Sequence, residues 1–155
     1  MENFLSPQWI DLYIRLIVAM LLGLLIGTER VIAHKTAGMR TYTLVSMGAA
    51  LFVVISTMIG TLYPGVSFNG AYIPAAIITG VGFIGSGLMV WQHQHLLGIT
   101  SAASLWISAG IGIACGFGLY PLAIIATVLV LFVFIVLWFI EQRLKKVVGY
   151  IEETK

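Results

Sequence analysis

Few side chains in this 155-residue chain could do chemistry, and they gather in three short stretches. Asp11 and Arg15 stand four apart, the spacing that puts a carboxylate and a guanidinium on one helix face. Glu29 and Arg30 follow, with Arg40 ten residues further on. His93 and His95 form the third stretch and are too few for a metal site without partners, so they read as solvated loop residues. Thr100, Ser101, Ser104 and Ser108 could supply hydroxyls inside a bundle, or bond back to their own helix carbonyls. No nucleophile, base and acid occur at a catalytic spacing, so an enzyme is not expected. The string Gly80-Val81-Gly82-Phe83-Ile84-Gly85 matches the dinucleotide fingerprint only formally. It has no βαβ setting, and no acidic residue follows about 20 positions later to hold a ribose.

The elements that must position these groups are membrane helices. From residue 41 through 140, 100 consecutive residues include no Asp, Glu, Lys or Arg. The whole chain is 60% apolar and 9% charged, against roughly a quarter charged in a soluble domain. Lipid is the solvent such a surface fits. A net charge of +2 with no basic face argues against nucleic acid. Cys115 is the single cysteine, which excludes an intramolecular disulfide. The N-terminus carries Glu2 and Asp11 where a signal peptide would be basic, so the first apolar run is expected to be a retained span.

With about 20 apolar residues per crossing, the turn-forming residues mark spans at about Trp9–Thr28, Thr41–Leu62, Tyr72–Trp91, Gly98–Phe117 and Leu122–Ile140. Tyr63-Pro64-Gly65, the polar link from Gln92 to His95, and Gly118 through Pro121 are the breaks. The expected fold is therefore all-α, a polytopic transmembrane bundle of about five spans over residues 1–140, with a short charged tail over 141–155. Arg30, Lys35 and Arg40 then share a face with Arg143, Lys145 and Lys146. The positive-inside rule makes that face cytoplasmic and puts the N-terminus outside.

Seventeen glycines organise the interior. Gly23 and Gly27, and Gly112 and Gly116, are GxxxG pairs that allow close helix approach. Gly80, Gly82, Gly85 and Gly87 crowd the third helix, for packing or for a cavity or dimer seam. On the first helix, Asp11, Arg15, Ala19, Gly23, Gly27 and Arg30 form a small-residue groove with charge at both ends, the ends roughly 22 Å apart at 1.5 Å per residue. Two readings of it stay open: a buried polar path, or interfacial anchoring with Arg15 snorkelling outward. Glu29 and Arg40 could likewise form a lock across the loop or a binding cluster.

The run from Gly23 to Arg30, the segment Lys35-Thr36-Ala37-Gly38-Met39-Arg40-Thr41, the string from Thr79 to Gly87 and the string from Gly98 to Tyr120 together resemble the MgtC/SapB family of bacterial inner-membrane proteins. The resemblance implies a multi-pass protein linked to growth at low magnesium and, in pathogens, to virulence through intracellular survival. It implies action on membrane partners, such as the ATP synthase, in place of magnesium carriage. It maps the family's charged positions onto Glu29, Arg30 and Arg40, its small polar positions onto Thr100 and Ser101, and its cysteine onto Cys115. The chain departs from the family at Tyr72 and Ala76, where an Arg and a Gln are usual, in its uncharged loop between the third and fourth helices, and in the expected lack of a C-terminal cytosolic domain. A non-enzymatic modulator of ion homeostasis is the leading expectation; a homo-oligomeric transporter of magnesium or another ion is the alternative. No resident cofactor is expected, magnesium being the one ion to weigh. Its preference for carboxylate oxygens is poorly served by the middle three helices, which contain none.

Overall fold

A computed structural model describes residues 6–63, 69–92 and 95–153, without the side chains of 92, 95 and 146–153. Glu2, Pro64, Gly65 and His93, and the side chains of His95 and Lys146, lie outside the described residues. Helix α1 (Pro7–Ile32) starts with a proline in its first turn, where the ring's missing N–H is no loss. It is followed by α2 (Met39–Leu62), α3 (Tyr72–Gly87), strands β1 (Val90–Gln92) and β2 (His95–Leu97), α4 (Ile99–Gly116) and α5 (Tyr120–Phe132). A π-helical turn at Val133–Leu137 then carries α5 directly into α6 (Trp138–Glu153). The molecule is an all-α polytopic bundle. Four of its helical stretches are long and apolar enough to cross a bilayer: α1, α2, α4 and the continuous run Tyr120–Lys145.

The third expected span ends early. Helix α3 has 16 residues, about 24 Å of rise against roughly 30 Å of hydrocarbon. Val90 and Trp91, expected at its end, instead lie in β1, which pairs antiparallel with β2. Gly87 favours this break, because glycine weakens a helix where no neighbour packs against it. The charged tail is helical through Glu153, and the helix runs through Glu141 without a break.

Helix α4 is the axis of the bundle and touches α1, α2, α3 and α5. Its buried serines, Ser101, Ser104 and Ser108, recur at helical spacing on the inner side. Helix α5 buries only Ala123, Thr127 and Val130, with Phe134 continuing the stripe, and shows the rest of its surface to lipid. Both GxxxG pairs are spent on backbone contact, as their spacing suggested. A Cβ at Gly23 would stand 2.7 Å from the Tyr42 carbonyl oxygen, and one at Gly27 would stand 2.6 Å from Met39 Cα. On α4, a Cβ at Gly112 would collide with the Ser46 carbonyl, and one at Gly116 would meet Val53 Cβ at 2.6 Å. The α3 glycines behave differently: Gly80, Gly82 and Gly87 face open space, and only Gly85 packs, against Ala102.

The contrast sets a test. Gly112→Val forces α2 and α4 apart and should cost about 2 kcal/mol or more. Gly110→Ala, with nothing within 4 Å of the added carbon, should change stability by less than about 0.5 kcal/mol. Thermal unfolding in detergent micelles reads both.

Candidate functional site

Hydrogen bonds and packing place the chain's intramembrane charges at the two ends of the bundle. At one end, Arg15 donates through Nε and Nη2 to Asp11 Oδ2, at 2.9 and 2.6 Å. Its Nη1 donates to the Gly116 carbonyl at 2.8 Å, across 101 residues of sequence. The acceptor is available for a local reason. Where α4 ends, Phe117 N–H caps Ile113, Leu119 N–H caps Ala114 and Gly118 N–H caps Cys115. Gly118 takes the left-handed conformation (φ 76°) that this closure requires. The Gly116 carbonyl is left over, at the negative end of the helix dipole, and a guanidinium satisfies it.

Arg15 therefore does not snorkel outward, as the anchoring reading had it. Its side chain is 22% exposed and turned into the bundle, while Asp11 is 48% exposed. Gly118 leaves room for the guanidinium, whose Cζ would lie 3.7 Å from an added Cβ. The Tyr120 hydroxyl is buried close by, within electrostatic reach of Asp11 and Arg15.

At the other end, Arg30 is 4% exposed. Its Nε donates to Glu29 Oε2 at 2.5 Å, and its guanidinium lies 3.4 Å from the centroid of the Phe134 ring. Phe134 belongs to the π-helical turn. A π turn is uncommon and costs regular hydrogen bonding; here it sets an aromatic face under a buried cation. Such a contact is worth about 2 kcal/mol when desolvated. Nearby, the Tyr42 and Ser104 hydroxyls bond each other at 2.5 Å, and both reach the Ser101 carbonyl. Tyr42 is within electrostatic reach of Arg30 and Glu29. Helix α1 ends here as α4 does at the opposite end, with His34 in the left-handed position (φ 54°) and Lys35 N–H on the Arg30 carbonyl.

Of the residues singled out from sequence, Glu29, Arg30, Ser101 and Ser104 come together. Arg40 is exposed and forms no ion pair with Glu29, and Thr100 faces outward. Tyr42, Ser46 and Phe134 have no prominence in the sequence. A signal existed for two of them, since Tyr42 and Ser46 are four apart on one face of an otherwise apolar helix. Phe134 lies in a run of apolar residues that singles out none of them. Among the described residues no three His, Cys, Asp or Glu side chains gather. Asp11 and Glu29 are each paired with an arginine through one carboxylate oxygen, Oδ2 and Oε2.

One large feature lies outside both clusters. Helices α2 and α3 diverge and leave an apolar groove of about 910 Å³, lined by Gly48, Phe52, Ala76, Gly80 and Phe83 among others. Phe83, at its rim, is 83% exposed.

The Arg30–Phe134 contact is testable in isolation. Phe134→Leu should lower stability by about 1–2 kcal/mol, and by much less on an Arg30→Met background, where no cation remains to couple. Arg15→Met, which keeps the stem and loses the fork, should cost about 2 kcal/mol. A double-mutant cycle with Asp11→Asn would divide that loss between the carboxylate and the Gly116 carbonyl.

The charged ends, the glycine contacts and the α4 serines all lie within or beside the segment that matches a known family. The MgtC family matches residues 16–143. The protein MgtC of Salmonella typhimurium is 40% identical over 133 residues, 86% of this chain and 55% of that protein. The protein MgtC of Brucella abortus is 42% identical over 113 residues, 73% of this chain and 45% of that protein. An uncharacterised protein of Synechocystis is 38% identical over 124 residues, 80% of this chain and 51% of that protein. The chain thus spans about half the length of the curated relatives it matches. No solved structure matches it. With the match running from the first helix into the last, this chain belongs to the MgtC family.

Proposed function

We propose that this protein is a non-enzymatic modulator of membrane partners in bacterial magnesium homeostasis, resident in the inner membrane. The observation that carries the reading is the engagement of both intramembrane carboxylates by arginine, Asp11 by Arg15 and Glu29 by Arg30. Ion carriage in a bilayer relies on polar groups that face a path. These two face their arginines. What the bundle offers outward is the α2–α3 groove, where Gly48 and Gly80 leave room for another helix to approach closely. The partner is a membrane protein of the class to which the ATP synthase belongs, and the same groove is open to a second copy of this chain.

Orientation follows from charge and packing together. The Arg30–Phe134 contact brings the end of α1 and the second half of the last span to the same end of the bundle. The basic residues Lys35, Arg40, Arg143 and Lys145 flank that end in sequence, and the positive-inside rule makes it cytoplasmic.

Sealed liposomes containing only the purified protein, an internal magnesium dye and an imposed gradient decide between modulation and transport. Flux no greater than in empty liposomes is expected. Saturable magnesium entry that disappears in Glu29→Gln would overturn the reading. In magnesium-starved cells, a photo-crosslinking residue at Phe83 should capture another membrane protein, whereas capture of this chain alone would point to a homo-oligomer.

A further inference from the structure

Among the described residues, the segment between α3 and α4 is the one that forms strands. Strands β1 and β2 pair Val90 with Leu97, Trp91 with Leu96 and Gln92 with His95. Side chains alternate across a strand, and directly paired residues share a face. Trp91 and Leu96 therefore form one face of the hairpin, and Val90 and Leu97 the other. All four are exposed, Trp91 at 71%. The root is fixed. Gly98 (φ 89°) brings its backbone so close to the Leu88 carbonyl that any Cβ there would collide with it. The hairpin is thus held against the end of α3 and the start of α4.

Two physical demands then conflict everywhere but one place. Each strand has a partner on one side only, so its outer N–H and C=O groups need water or lipid headgroups, and hydrocarbon excludes them. Trp91, Leu96, Val90 and Leu97 are all exposed apolar side chains, so bulk water is a poor solvent for these four. Since both roots continue into membrane helices, the hairpin cannot lie far from the bilayer surface. Helix α3 falls short of the hydrocarbon thickness by about 6 Å, which leaves its end and the hairpin near the headgroup boundary.

We propose that the β1–β2 strand pair, through Val90, Trp91, Leu96 and Leu97, is an interfacial anchor that docks into the headgroup and upper acyl layer of the phospholipid bilayer, with Trp91 as its principal contact. Tryptophan suits that depth because its ring is apolar and its indole N–H reaches a polar acceptor. The partner is the lipid itself, and the hairpin completes with interfacial contact the crossing that α3 leaves short.

The test uses the full chain in phospholipid vesicles with Trp91 as the sole tryptophan, Trp9, Trp106 and Trp138 being changed to Phe. Lipids carrying a quencher near the headgroup should reduce its fluorescence at least about twofold more than lipids carrying it at the chain end, as an interfacial indole requires. Aqueous iodide should quench it less than free tryptophan. Iodide quenching equal to that of free tryptophan would overturn the proposal by placing the hairpin in water. Stronger quenching from the chain end would overturn it by placing Trp91 in hydrocarbon. Protection from all three would overturn it by showing a protein cover, a second copy included. If the triple variant does not fold, the quenching difference between the native chain and Trp91→Phe gives the same reading.

Discussion

Ser46 stands where three helices meet. Its hydroxyl donates to the Ala19 carbonyl of α1 at 2.8 Å. Its Cβ lies where a side chain on Gly23 would need to be, and its own carbonyl abuts Gly112 of α4. In lipid there is no hydrophobic gain from pressing apolar helices together, so close backbone approach and buried hydrogen bonds must supply the association. The α1–α2–α4 junction combines both. It also sets the register for everything above and below: one turn before Ser46, Tyr42 meets Ser104, and beyond it Gly116 packs on Ala50 and Val53. A helix pair shifted by even one residue there would deny Arg15 its carbonyl.

The two charged ends follow from that register and differ in kind. Arg15 closes a helix terminus, a task any well-placed donor could share, and Asp11 holds it in orientation. Arg30 is enclosed, and its burial is tolerable only because a carboxylate and an aromatic face replace part of its hydration. The π-helical turn is the device that brings the aromatic face there. An ordinary α-helix would advance Phe134 by a different angle, and the irregular turn has no other evident purpose in a span otherwise made of uniform apolar residues. The buried cation and the backbone irregularity coincide at this end of the bundle.

Helix α3 is the counterpart of this economy. Gly23 and Gly27 of α1 and Gly112 and Gly116 of α4 are consumed by neighbours, while three of the four on α3 meet nothing among the described residues. Its shortness, the groove it opens against α2 and the strand pair that follows it all leave apolar surface for the bilayer or its proteins to cover. Those four glycines of the central bundle pack against their own neighbours, and α3 with its strand pair is turned toward the surroundings.

Sequence alone determined that this chain spans a membrane, because 100 residues without a formal charge exclude any other solvent. It determined the Asp11–Arg15 pair and the two GxxxG contacts, because those are set by spacing along single helices. It did not determine which way Arg15 turns, what lies under Arg30, or where α3 stops. In water, the apolar face of a helix marks its buried side; in lipid every face is apolar, and that marker is lost. The partners of Arg15 and Arg30 are on distant helices, and only the packing of α2 against α1 and α4 brings Gly116 to one and Phe134 to the other.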